Sequence, residues 1–168
     1  MRGVFDATQG CGPRMRPKDV GKRMDAMFSH VTVGTNDMDR ARCFYDAVLL
    51  TLGHRRFAEG RGHTGYGAPA SAQMWILAPF NRQPASVGNG GHVAFLAPDR
   101  AAVDAFYAAA LAHGGADEGP PGPRPQYHPG YYGAYVRDPD GNKIQAVCHR
   151  HEQARDGDRE REQRGPDR

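Results

Sequence analysis

The sequence predicts an α+β fold: two βαβββ modules in one chain, their eight strands forming a curved mixed sheet with the helices outside. Three observations lead there. Displacing the sequence by 62 residues without a gap sets His30 on His92, Val31 on Val93, Phe44 on Phe106, Tyr45 on Tyr107, Leu49 on Leu111 and Gly53 on Gly115. Each copy opens with apolar residues of period two, Val31 and Val33 in one, Val93 and Phe95 in the other, the mark of a half-buried strand. Each then passes into a helical stripe that ends at glycine, with short strand-like segments beyond it.

Patterned sequence begins at Met27, and residues 1–26, which carry glycine, proline and charge without apolar periodicity, are expected to be a disordered extension. Module 1 covers residues 27–81. It opens with a strand from Phe28 to Gly34, followed by a helix that Asn36 or Asp37 caps and that repeats Ala41, Phe44, Tyr45, Val48, Leu49 and Leu52 on one face. Strands are expected at His54–Ala58, His63–Gly67 and Gln73–Ala78. The polar, glycine-containing stretch 81–90 connects the copies.

Module 2 covers residues 90–149. Gly91–Ala97 is its first strand, and Pro98-Asp99 starts a helix with the stripe Val103, Phe106, Tyr107, Ala110 and Leu111. A short strand at Ala116–Glu118 precedes a loop, Gly119–Gly130, that is too proline-dense for a central strand. Tyr131–Arg137 and Lys143–His149 form a hairpin joined by Asp138-Pro139-Asp140-Gly141-Asn142, where proline presets one torsion and glycine accepts positive φ. Residues 150–168, almost wholly charged and polar, are expected to be a disordered tail.

Charge excludes one class of partner. The formal charge of +3 arises in the extension, because residues 27–149 hold ten basic and ten acidic side chains. A neutral domain offers no groove for phosphate backbones, so no nucleic-acid partner is expected. No apolar run approaches the roughly 18–20 residues that cross a bilayer, and the reading is a cytoplasmic protein with no membrane partner. Three cysteines without CxxC spacing suit reduced thiols, with Cys43 and Cys148 as small buried side chains.

Alternation also orients the histidines. The apolar sides of the first strands need helices to cover them, which leaves His30 and Thr32, and His92, Ala94 and Leu96, on the uncovered faces. Equivalent imidazoles on two such faces suggest a shared hollow. A single strand histidine is more often a packing residue, and the repeat raises the weight of this pair.

From Met27 to His149 the chain resembles the vicinal oxygen chelate superfamily, the group of glyoxalase, bleomycin-resistance and extradiol-dioxygenase proteins. The resemblance rests on Ser29-His30-Val31-Thr32-Val33 with Phe44-Tyr45 downstream, on the repeated Gly91-His92-Val93-Ala94-Phe95, and on Asp138-Pro139-Asp140-Gly141-Asn142-Lys143-Ile144. It implies a glyoxalase-like fold with a small-molecule groove between modules, a homodimer, and one divalent ion: zinc, nickel, iron or manganese. The implied ligands are His30, His92 and Gln145, the last standing where the family usually has glutamate; a fourth position falls near Trp75.

That glutamine limits what carries over. A neutral amide oxygen is a weaker ligand than carboxylate and cannot abstract a proton next to a carbonyl. Some glyoxalases are similar in accepting glutamine as a ligand, but isomerase chemistry here needs another proton carrier, for which His128 and Tyr131 are the candidates. Trp75, Tyr127 and Tyr132 are candidate ligand-binding aromatics, weighed against ordinary core packing. Arg82, Arg124 and Arg137 each suit an anionic substrate, and the sequence does not select among them. The leading reading is a metal-dependent, lyase- or isomerase-type enzyme acting on a carbonyl compound. Its alternatives are metal-free binding of a planar compound, as in bleomycin-resistance relatives, and a domain whose exposed sheet serves a protein partner.

Overall fold

The computed structural model describes residues 27–68 and 71–150. The extension 1–26, the tail from residue 151 and Cys11 lie outside the described residues. Module 1 runs β1 (His30–Gly34), α1 (Met38–Leu50), β2 (Arg56–Gly60), β3 (His63–Tyr66) and β4 (Gln73–Leu77). Module 2 repeats the order with β5 (Val93–Leu96), α2 (Arg100–Ala112), β6 (Ala116–Pro123), β7 (Tyr132–Arg137) and β8 (Lys143–Cys148).

The repeat holds at the helix ends. Asp37 and Asp99 are the N-caps, each accepting a backbone N–H three residues on, from Arg40 at 3.0 Å and from Ala102 at 2.8 Å. Both helices have 13 residues. Past them the chain turns at Gly53 (φ 82°) and Gly114 (φ 89°), values that favour glycine.

The eight strands form two four-stranded mixed sheets, ordered β1-β4-β3-β2 and β5-β8-β7-β6. In each, the opening strand pairs in parallel with the last strand of its own module and lies at an edge. The two helices pack against each other, and one continuous core joins the modules around Phe44, Tyr45, Val48, Phe106, Val136 and Ile144. Phe44 and Phe106, equivalent in the repeat, are fully buried, each worth about 2–3 kcal/mol over an exposed ring. Because the helix-covered sides share this core, the uncovered faces turn away from it.

Three local expectations change. The proline-rich segment is β-structure as far as Pro123, an extension beyond the expected Glu118. Pro120 and Pro121 are tolerated because β6 is the edge of its sheet, and its pairing with β7 slips at two irregularities. Cys43 is exposed, since α1 turns Ala41, Phe44 and Tyr45 inward and Cys43 away, whereas Cys148 is buried. Leu111, expected in the stripe of α2, is exposed while its counterpart Leu49 is buried. No helix of the described residues is long and apolar enough to cross a membrane.

The turn Asp138-Pro139-Asp140-Gly141-Asn142 fastens the modules together. Asp140, its side chain 4% exposed, accepts hydrogen bonds from Thr35 Oγ1 at 2.6 Å, Asn36 N at 3.1 Å and Arg40 at 3.0 Å. Asn142 Nδ2 donates to the carbonyl of Gly34 at 2.9 Å. The second module's hairpin turn thus holds the junction between β1 and α1.

Candidate functional site

Strand pairing shows which site positions are equivalent. Thr32 lies opposite Trp75 in sheet one, and Ala94 opposite Gln145 in sheet two. His30 stands opposite Gln73, and continuing the β5–β8 register by one residue sets His92 beside Lys143. Trp75 and Gln145 therefore occupy matching places, each on the uncovered face and one strand in from a histidine.

Within one chain these residues fall into two groups. His30 is exposed, its Nδ1 2.9 Å from Ser29 Oγ. It shares sheet one with Trp75, whose indole donates to Gln73 Oε1 at 3.1 Å and whose ring meets Phe57 edge-on with centroids 5.4 Å apart. His92, also exposed, sits on sheet two edge-on to Tyr135 at 5.8 Å. Gln145 is buried beneath the same face. Its Nε2 donates to Tyr131 Oη at 2.6 Å, and its Oε1 takes no donor among the described residues. No hydrogen bond or ring contact joins His30 to His92, and no group of three His, Cys, Asp or Glu comes together among the described residues.

The proton-carrier candidates lie side by side. His128 meets Tyr131 edge-on, with centroids 5.4 Å apart, and Tyr131 accepts the amide proton of Gln145. His149 stacks on His128 with its Nδ1 2.8 Å from His128 Nε2. Sequence alone carries no signal for that pair, because its partners are 21 residues apart, one in the loop before β7 and the other just past the end of β8.

Sheet two also floors a cavity of about 680 Å³. His92, Tyr135, Arg137 and Lys143 rise from the floor, Glu118 stands on β6, and Arg124 and Tyr127 come from the loop before β7. The connection between modules, Val87 to Gly91, also lines it. Glu118 is ion-paired with Arg137 and, at 3.0 Å, with Lys143, and these two cations hold its carboxyl below the usual carboxylate range. Burial first, and then a hydrogen bond with Tyr127, push the Tyr135 phenol upward, so it is protonated at neutral pH. Of the proposed aromatics, Tyr127 lines the cavity. Tyr132 lies on the other face of β7, its hydroxyl donating to Asp104 of α2 at 2.9 Å.

A family model described as the glyoxalase/bleomycin resistance protein/dioxygenase superfamily matches residues 27–146. The chain belongs to that superfamily. A glyoxalase/bleomycin resistance protein from Albidiferax ferrireducens is 45% identical, with a TM-score of 0.67, the match covering 73% of this chain and 98% of that one. A lactoylglutathione lyase from Agrobacterium tumefaciens (22% identity, TM-score 0.53, 76% and 96% covered) has the same fold. So has a fosfomycin resistance protein from Mesorhizobium loti (20%, 0.52, 72% and 90%). At those identities the likeness concerns the fold alone. No curated protein matches the chain. Superfamily membership accounts for the repeated module and the paired uncovered faces, and it leaves the reaction open.

Proposed function

We propose that this superfamily member binds a small molecule in a groove completed between two subunits, with a divalent ion held by His30 of one subunit and by His92 and Gln145 of the partner subunit. The observation that carries this reading is that the two histidines, equivalent in the repeat and both exposed, belong to separate four-stranded sheets and make no hydrogen bond or ring contact with each other. β1 and β5 are both edge strands, and Leu96 on β5 is 70% exposed. A two-fold axis setting β1 of one subunit beside β5 of the other extends both sheets to eight strands and makes two equivalent sites.

The donor set suits a borderline ion: two imidazoles with no carboxylate bonded to them and an amide oxygen with no other donor. Such an ion supplies Lewis acidity toward a carbonyl or enolate oxygen. Gln145 is fixed by Tyr131, and among the described residues no carboxylate is bonded to it, so proton transfer falls to the His128–Tyr131–His149 cluster. On this reading the protein is a lyase- or isomerase-type enzyme with a carbonyl-containing substrate.

Light scattering on the purified protein is expected to give a dimer, and Leu96→Glu to shift it toward monomer. Protein prepared without chelator should carry a divalent ion that His30→Ala and His92→Ala each lose. Equal, negligible metal in all three would remove the ion from the proposal. Ligand-dependent quenching of Trp75 fluorescence that survives chelator would then favour metal-free binding on the Phe57–Trp75 face.

A further inference from the structure

The cavity on sheet two concentrates positive charge in an otherwise neutral domain. Three of the ten basic residues between positions 27 and 149 line it, Arg124, Arg137 and Lys143, against Glu118 alone of the ten acidic ones. Glu118 is committed to Arg137 and Lys143. Among the described residues Arg124 has no carboxylate partner, and its terminal nitrogens donate to the carbonyls of Pro123 at 3.2 Å and Pro120 at 2.8 Å. A half-buried guanidinium bonded to carbonyls keeps its full charge and has donors left over. Beside it stand the hydroxyl-bearing side chains Tyr127 and Tyr135 and the imidazole of His92. The lining segment Gly88-Asn89-Gly90-Gly91 is mostly bare backbone, with open space at Gly88 and Gly90 where side chains would project.

We infer that this cavity receives the oxyanion of the ligand, a carboxylate or phosphate group, with Arg124 as its principal partner and Lys143 and Arg137 as a reserve of positive charge held by Glu118. The claim deepens the small-molecule reading by naming the charge of the ligand. Its geometry lies within one subunit, so it stands or falls without the metal and without the dimer. It also selects among the three arginines that sequence left equal: Arg124 and Arg137 are in the cavity, and Arg82 is not. Glu118 tunes the site, because a carboxylate already paired with two cations lowers the field that an incoming anion meets.

The test titrates the full chain with acetate and with inorganic phosphate, using acetamide as the uncharged control, by calorimetry and by amide chemical shifts. The oxyanions should bind saturably at about millimolar concentration, as expected for one or two charge-assisted bonds, and acetamide should not. Arg124→Gln should weaken them about tenfold, Arg124→Lys should retain most of the affinity, and Glu118→Gln should tighten binding several-fold by releasing Arg137 and Lys143. That opposite sign guards against loss of binding through misfolding of the 120–124 segment. Affinity unchanged in both Arg124→Gln and Glu118→Gln, or equal binding of acetamide, overturns the assignment. So does affinity that follows His30→Ala or chelator instead of Arg124, because the anion is then bound elsewhere.

Discussion

Tyr45 on α1 donates its hydroxyl proton to Asp138 Oδ2 at 2.8 Å, and both groups are buried. This bond ties the first module's helix to the second module's hairpin turn across the shared core. Asp138 has three other donors: the backbone N–H groups of Asp140 at 3.0 Å and Asn142 at 2.8 Å, and Asn142 Nδ2 at 2.8 Å. Removing the tyrosine hydroxyl therefore leaves a carboxylate that is still partnered, and Tyr45→Phe should cost about 1 kcal/mol. Asp138→Ala orphans four donors and should cost about 3 kcal/mol or more. Urea unfolding with an unchanged slope measures both, and equal costs would contradict the argument.

The same bond makes an alkaline limit. Burial, and after it the Asp138 carboxylate, raise the Tyr45 hydroxyl well above the ordinary tyrosine range. A group whose folded pKa is raised contributes stability that is whole below its unfolded value, about 10, and is lost as pH climbs above it. Melting temperature should fall from about pH 10 upward, and the fall should be shallower in Tyr45→Phe.

Asp140 does for the β1–α1 junction what Asp138 does for α1. Its carboxylate serves Thr35, Asn36 and Arg40, and in the ion pair the Arg40 side chain is 46% exposed against 4% for Asp140. Arg40→Ala removes a half-exposed partner and should cost less than about 1 kcal/mol. Asp140→Ala removes the acceptor of the exposed Asn36 N–H and the nearer of two acceptors of the Thr35 hydroxyl, which still reaches the Asp37 carbonyl at 3.0 Å, and should cost about 1–2 kcal/mol. Hydrogen exchange at Asn36 should rise in the second variant and not in the first.

Gly53 and Gly115 match in the repeat but differ in what surrounds them. A Cβ on Gly53 meets nothing within 4 Å, so Gly53→Ala pays only for positive φ, about 1 kcal/mol. A Cβ on Gly115 would lie 2.8 Å from the Ala110 carbonyl, 2.9 Å from that of Arg137 and 2.9 Å from the Phe44 ring. Two of these neighbours are backbone and cannot yield, so Gly115→Ala should cost about 2–3 kcal/mol. Thermal melts of the two variants should rank in that order.

These pairs also mark how much was legible in sequence. Period and repeat encode element type and facing, so the strands and the histidine-bearing faces follow from Val31, Val33 and their counterparts 62 residues on, whereas the choice between Asn36 and Asp37 as the first N-cap is made only by the structure, in favour of Asp37. Sequence predicted the tight turn at 138–142 but not its partners, since Asp140 meets Arg40 across 100 residues and no local pattern records that. β6 was read too short because proline content carries no information about whether a strand will lie at an edge. The cavity was hidden for a similar reason. The connection 81–90 looked like a plain linker, and only its path past Ala85, hydrogen-bonded to Asn36, brings residues 87–91 over sheet two.

Where His30 and His92 meet is decided by mixing subunits. If each site takes His30 from one subunit and His92 from the other, His30→Ala dimers and His92→Ala dimers both lack one imidazole at every site. A heterodimer of the two variants has one site with neither histidine and one with both. Unfolding the variants together and refolding them at equal concentration should therefore restore about one site in four, from random pairing into two-fold dimers. Divalent-ion content of the refolded mixture, compared with each variant refolded alone, reads the result directly. A site contained within one chain gives no recovery on mixing, because no chain in the mixture carries both histidines. Recovery by mixing, with none in the separate samples, requires that β1 of one subunit and β5 of the other share a groove.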